Sequence, residues 1–345
     1  MYNKDSKIAV VGAGAIGGIT AGFIARVGYN NVEIVCKHQE IADKFRSEGV
    51  HIFGINGDHR VTVPAVARIP ELREQKDIVF LATKATDMLE AARELLPFLT
   101  DKSIVVSLQN GICEDAIAEV IGRHRTIGCV VGWGATMHGP GELEMTSTGE
   151  YIIGNIDSKP DIRLLSLEKI LSSIVPVERS ENIMGNLYSE LIINSCINSL
   201  GAICGLYLGK MLSLKKYRSI FIEIIREAIA VADEMYMKVE VYAGKLDYYR
   251  FLQGSGFYDN FRRHLMIRVI GFKYRRVKSS SLQSLERGKP TEIDFLNGYI
   301  SSHGKKQKVP TPVNDRIIEI VKEIEAGTKK VSPENFDDPF FDNFR

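Results

Sequence analysis

The sequence predicts a two-part α/β protein: an N-terminal domain built on a parallel sheet with helices on both faces, then an all-helical domain. Three observations predict it. Short, near-continuous apolar runs alternate with helical spacing over residues 7–133, the pattern of strands buried on both faces. A glycine-rich run, "GAGAIGG", lies between the first of those strands and the first helix. From residue 182 onward helical periodicity replaces strand patterns. A chain of 345 residues suits two domains. They are expected over 1–180 and 181–330, with a C-terminal tail over 331–345.

Bulk composition narrows the function. The chain is 45% hydrophobic and 25% charged with net charge +1, a balance that points away from nucleic acid and membrane surfaces. No apolar run is expected to reach the length of a bilayer span. The start, "MYNKDSKIAVVGAGAIGG", lacks the apolar core and small-residue cleavage site of a signal peptide, so the expected location is cytoplasmic. Cys36, Cys113, Cys129, Cys196 and Cys204 form no CxxC pair and no His–Cys cluster. They are expected as buried reduced thiols, with no metal site.

Taken in order, residues 7–11 form the first strand and the segment after "GAGAIGG" the first helix. Gly12, Gly14 and Gly17 match G-x-G-x-x-G. In a dinucleotide loop the first glycine makes the tight turn, the second lets the backbone approach a pyrophosphate, and the third lets helix and strand pack closely. The N–H groups around Ala15 and Ile16 then face the phosphates at a helix N-terminus. The domain is therefore expected to be of the Rossmann type. The second strand, 32–36, ends in Cys36-Lys37-His38. An NAD-preferring site carries Asp or Glu at that tip. Glu33 lies inside the strand, and the cation at the tip suits a 2′-phosphate, so NADPH is the expected cofactor. The competing reading of Lys37 is an ordinary surface lysine.

Further strands are expected over 77–83, 103–109 and 126–133, with helices near 86–96 and 113–122. Ligands bind beyond the carboxyl ends of such strands. Lys84 and Asn110 lie there, though Asn-Gly is also a common turn. After residue 133, glycine turns punctuate short antiparallel strands. An amphipathic helix over 163–174 follows, and "VPVERSEN" leads out.

The helix expected over 182–204 is apolar on every side, as in a buried helix. Yet Asn186, Glu190, Asn194 and Asn198 recur every four residues and so share one stripe. Buried amides and carboxylates need partners, so the stripe must face something polar. A second helix is expected over 216–237. Residues 242–278 are aromatic and basic, read as solvated cations on a helical arm. Pro290 and Thr291 open a last clear helix, with Asp294 three residues after Thr291 as in a capping box. The tail from about 330 carries too many turn and acidic residues to assign.

"QNG", "LIINSCINSL" and "SSSLQSLERGKPTEIDFLNG", together with the glycine loop, resemble the ketopantoate reductase (2-dehydropantoate 2-reductase) family over nearly the whole chain. The resemblance implies a Rossmann domain joined to a helical domain, an active site in the cleft between them, and reduction of a 2-oxo acid by NADPH. It puts the phosphate loop on Gly12, Gly14 and Gly17 and the 2′-phosphate cation on Lys37. Lys84 falls near the nicotinamide half and Asn110 is the asparagine of the cleft. Asn194 and Asn198 contact substrate, Ser280 binds its carboxylate, and Glu292 is the active-site glutamate. A homodimer through the helical domain is also implied.

The resemblance breaks at two positions. The family's active-site lysine, four residues before the first helix asparagine, is here Glu190, and no lysine occurs between Lys169 and Lys210. Val277 stands where an asparagine is expected. Reduction builds negative charge on the carbonyl oxygen, which a carboxylate opposes unless it is protonated or meets a cationic substrate group. Three readings follow: a ketopantoate reductase, a reductase of another 2-oxo acid or imine, or a dinucleotide-binding sensor without catalysis. The bland readings are a first-turn carboxylate for Glu292 and backbone-bonded amides for Asn194 and Asn198.

Overall fold

The computed structural model describes residues 2–344. The chain divides into two compact units, Met1–Leu187 and Tyr188–Arg345, each described by itself.

The strands of the first unit are β1 (Ile8–Val11), β2 (Val32–Val35), β3 (Val50–Gly54), β4 (His59–Val61), β5 (Ala65–Val66), β6 (Lys76–Leu81), β7 (Leu99–Ser107), β8 (Thr126–Val131), β9 (Gly134–Gly139), β10 (Glu142–Ser147), β11 (Tyr151–Asn155) and β12 (Val177–Arg179). Eight of them form one sheet in the order β12-β11-β8-β7-β6-β1-β2-β5. It is parallel from β5 to β8, and β11 turns antiparallel against β8. Ile8 is level with both Val32 and Ile78, so β1 is central. Fully buried Ile8, Val10, Ile34, Ile78, Phe80 and Val106 explain why these strands read as continuous apolar runs. The chain order reverses between β1 and β6, the switch point where such sheets bind ligands. The unit's helices are α1 (Ala15–Arg26), α2 (Gln39–Glu48), α3 (Met88–Leu95), α4 (Glu114–Ile121) and α5 (Arg163–Leu171).

A second sheet, β4-β3-β10-β9, contains the expected antiparallel strands after residue 133. Its β3 and β4, and β5 of the main sheet, are absent from the sequence-based reading. They are short and carry half-exposed His51, Phe53 and His59, so no apolar run marks them. The signal present was the hairpin glycines Gly54 and Gly57, both at positive φ. β12 falls in the expected exit segment: it pairs on one side only and is largely solvated.

The second unit is helical. After α6 (Ile183–Cys204), which contains the division between the units, come α7 (Leu208–Ser213), α8 (Lys215–Glu234), α9 (Tyr248–Leu252), α10 (Phe257–Lys273), α11 (Ser280–Glu286), α12 (Asn297–Gln307) and α13 (Pro312–Glu325). Leu191, Ile192, Cys196 and Leu200 of α6 and Ile220, Ile224, Ile225 and Ala228 of α8 are fully buried. The buried Tyr188 hydroxyl donates to the Ala228 carbonyl (2.8 Å). Contrary to the sequence-based expectation, α6 is long and apolar enough to cross a bilayer by length and composition. Protein surrounds it, with 83% of that window buried. The α13 N-terminus is capped from α8: Glu227 accepts from Val313 N (2.8 Å), Asn314 N (2.9 Å) and Asn314 Nδ2 (2.6 Å). Burial pushes that carboxyl up, and these bonds pull it back.

Two further expectations are corrected. No capping box forms at Thr291. Its N–H and hydroxyl donate to Glu325 instead (2.7 Å each), Asp294 pairs with Lys322, and the α-helix starts at Asn297 after a 3₁₀ turn. The basic arm is not wholly solvated. Arg263 is buried and closes α9 by donating to the carbonyls of Phe251 (2.9 Å), Leu252 (2.7 Å), Gln253 (3.1 Å) and Gly254. The unassigned tail forms two 3₁₀ turns, Pro333–Asp337 and Pro339–Phe344. Phe336 and Phe341 bury there, Phe336 edge-on to Tyr217.

Candidate active site

The glycine loop joins β1 to α1, and each glycine has its own reason. Gly12 has φ +113°, and a Cβ there would lie 2.6 Å from the Ala82 carbonyl oxygen. A Cβ on Gly17 would meet the Gly12 carbonyl oxygen at 1.9 Å. Gly14 has open space around it and is exposed, with Ala15 and Ile16 half-buried behind it. The α1 N-terminus has no side-chain cap and no acidic residue in its first turn. Two glycines thus seal loop, helix and β6 together, while the third leaves backbone open beside free N–H groups and the positive end of the helix dipole. That arrangement fits a dinucleotide pyrophosphate.

At the β2 tip, Lys37 adopts φ +68° and is exposed. Its Nζ lies 2.7 Å from Asp87 Oδ2, in the turn after β6. Glu33 is committed elsewhere: it is buried and paired with buried Lys76, and Arg73 lies 3.6 Å away. It is therefore a structural ion pair of the sheet, unavailable to a ribose.

Lys84 and Asn110 follow β6 and β7, on the β6 side of the switch point. Lys84 is exposed at the head of the turn Ala85–Asp87. Asn110 is half-buried before Gly111 at φ +86°. Beneath them runs a polar network that sequence reasoning missed. Gln109 Nε2 donates to Thr83 Oγ1 (3.0 Å), and Ser107 Oγ donates to Gln109 Oε1 (3.0 Å). Glu114, at the start of α4, accepts from Cys113 N (2.9 Å) and lies beside Ser107. Its side chain is fully buried, which raises its pKa to about 7 against the pull of these bonds. Nothing in "CEDAIAEV" marks this glutamate apart from an ordinary first-turn acid.

The polar stripe of α6 is where that helix surfaces. Asn186, Glu190 and Asn194 are half-buried, whereas Leu187–Ser189, Leu191–Ile193, Ser195 and Cys196 are buried. Asn198 is 5% exposed. Its carbonyl accepts from Ser279 Oγ (3.5 Å), and that hydroxyl accepts from Leu282 N (3.2 Å) as the α11 N-cap. A Cβ on Gly201 would lie 2.5 Å from the same Oγ. The small residue on α6 thus lets the head of α11 dock there, and holds exposed Ser280 near Asn198. Val277 is exposed just before this segment. Glu292 is buried at the head of the turn Ile293–Phe295. Glu190 lies by Tyr242 and Tyr248, from the loop after α8 and the start of α9. Burial first, with the neighbouring Glu190 carboxylate adding to it, holds both phenols well above their ordinary range. The Tyr248 hydroxyl donates to the Ser189 carbonyl (2.7 Å).

Known proteins match this chain along most of its length. The family model described as ketopantoate reductase PanE/ApbA matches residues 8–158, and its C-terminal counterpart matches 182–325. A 2-dehydropantoate 2-reductase of Pyrococcus horikoshii is 30% identical, over 93% of this chain and 98% of the relative. That of Pyrococcus abyssi is 29% identical with the same coverage. Among solved structures, a PanE/ApbA family ketopantoate reductase from Ralstonia eutropha superposes with TM-score 0.80 at 29% identity, over 93% of this chain and 99% of that one. A D-mandelate dehydrogenase solved with NADH and anilino(oxo)acetate shares the fold, with TM-score 0.77 at 22% identity over 93% and 99%. With both halves of the chain matched, this protein belongs to the ketopantoate reductase family of oxidoreductases.

Proposed function

We propose that the protein is an NADPH-dependent reductase of a 2-oxo acid, with ketopantoate, reduced to pantoate for pantothenate biosynthesis, as its first candidate substrate. The observation that carries this reading is the glycine loop, whose Gly12 and Gly17 are sterically required and whose Gly14 is open. The relatives' shared name, 2-dehydropantoate 2-reductase, supports the substrate class.

Gly12, Gly14, Ala15, Ile16 and Gly17 hold the pyrophosphate, and Lys37 takes the 2′-phosphate. Lys84 and Asn110 border the nicotinamide half. The dinucleotide, when bound, supplies a hydride to the carbonyl carbon. Asn194, Asn198 and Ser280 orient the oxo acid, with amide and hydroxyl donors for its oxygens. Glu292 is buried enough to fix a substrate hydroxyl or exchange a proton with it. Glu190 is a catalytic-position residue whose carboxylate replaces the family's lysine. That replacement, together with Val277, favours a second reading, in which the substrate is a different 2-oxo acid or an imine.

The chain acts as a homodimer in this proposal. Phe257, Phe261, Leu265, Val269 and Phe272 are exposed along one face of α10, more apolar surface than a free helix usually shows. Antiparallel pairing with a second copy brings Asp259 near Lys273, Arg275 and Arg276. A solution mass of one chain contradicts this part. The five buried thiols suit a reducing cytoplasm. NADPH and NADH oxidation with ketopantoate and other 2-oxo acids tests the main reading. Turnover by NADPH is expected, and absence of dinucleotide binding overturns it.

A further inference from the structure

A carboxylate in the first turn of a helix is normally solvated, where it complements the helix dipole. Glu114 is fully buried, and its Oε1 has no hydrogen-bond partner among the described residues. An apolar side chain of similar size would fill that space without the desolvation cost. What Glu114 touches gives it another role. Oε2 accepts from Cys113 N (2.9 Å), and the carboxyl lies beside Ser107. From Ser107 the chain of bonds passes to Gln109 and Thr83, 3.0 Å at each step. Those two residues immediately precede Asn110 and Lys84. Ala82, one residue before Thr83, packs against Gly12 through its carbonyl and against Gly17 through its methyl. One buried glutamate therefore abuts a hydrogen-bonded chain that joins both strand tips, and through β6 the floor of the glycine loop.

We infer that Glu114 is a positioning residue of the dinucleotide site: through Ser107 and Gln109 it locks the tips of β6 and β7, and so fixes how Lys84 and Asn110 meet the nicotinamide half. The inference rests on the NADPH-reductase reading above. Cross-strand side-chain bonds are needed at this point because the backbone ladder between β6 and β7 ends at Leu81 and Ser107. Beyond it, the Leu108 N–H to Leu81 carbonyl bond (2.9 Å) is followed by the Gln109–Thr83 side-chain bond. Small displacements of a bound reactant cost rate far more than affinity. A loosened tip therefore shows in turnover and in the environment of the ring, with binding of the distant phosphates nearly intact.

The test compares Glu114→Ala, Glu114→Gln and Ser107→Ala in the full chain. NADPH is titrated by its own fluorescence, which gives both Kd and the emission of the bound ring without any substrate. Glu114→Ala and Ser107→Ala are expected to shift bound-NADPH emission while Kd stays within about threefold. Where a 2-oxo acid is turned over, kcat falls by on the order of tenfold or more, with KM nearly unchanged. Glu114→Gln keeps the shape of the side chain beside Ser107 and an acceptor for Cys113 N, so it restores wild-type emission and turnover. Two results overturn the inference alone: wild-type emission in both Ala variants, or Glu114→Gln failing as badly as Glu114→Ala in a folded protein. If the wild type binds neither NADPH nor NADH, the reductase reading and this inference fall together.

Discussion

Glu114→Gln should stabilise the first unit at alkaline pH and have little effect at acid pH. Burial raises the Glu114 carboxyl from the usual 4.5 to about 7, partly offset by its hydrogen bonds. In the unfolded chain the group releases its proton near 4.5, while in the folded protein it keeps the proton to about 7. Across that window the folded state binds more protons, so this group's contribution falls as pH rises. A shift of this size is worth roughly 3 kcal/mol once pH exceeds 7. Because the side chain is fully buried, solvent screening removes little of it. Glutamine has the shape of the protonated acid and does not titrate, so it escapes the penalty. At pH 8 the variant should melt roughly 6–12 °C above wild type in the transition of this unit, and the two should converge near pH 4.5. Scanning calorimetry from pH 4.5 to 8 measures the difference directly. A gap that stays constant over that range refutes the reasoning.

Other outcomes follow from the same geometry. Gly17→Ala drives a methyl into the Gly12 carbonyl, so the loop must open. Dinucleotide affinity should fall by at least about a hundredfold, read by NADPH titration, because the pyrophosphate approach is lost. Asp87→Asn releases Lys37 from its ion pair and removes a carboxylate near the proposed 2′-phosphate site. NADPH should bind roughly three- to fivefold tighter with NADH unchanged; equal effects on both would detach Lys37 from cofactor choice. Glu190→Lys should create or raise ketopantoate reduction if the missing lysine is the only obstacle, and no gain points to a pocket altered more widely.

The sequence revealed those parts of the fold whose local pattern matches their environment. The strands of the main sheet from β2 to β8 are buried on both faces, so unbroken apolar runs announced them. The short β3, β4, β5 and β12 lie in edge or half-exposed positions, where pairing rather than composition makes a strand. The capping box at Thr291 was sound as a local pattern, but Glu325, far along the chain, takes the threonine's donors. Arg263 looked like any other cation of its arm until the carbonyls at the end of α9 surrounded it. At the site, G-x-G-x-x-G was legible because each glycine answers a backbone need close to it in the chain. The stripe on α6 was legible as a four-residue period. Its neighbours were not, since Tyr242 and Tyr248 reach Glu190 only through the tertiary fold. The Glu114 network was hidden for the same reason: burial, which gives that acid its character, has no sequence signature.

Steady-state oxidation of NADPH by the purified protein with ketopantoate, with NADH in parallel, decides whether this protein is a 2-oxo acid reductase. Saturable NADPH-dependent turnover of ketopantoate or another 2-oxo acid is expected, with NADH the poorer reductant. A protein that binds NADPH yet reduces no 2-oxo acid or imine would contradict it.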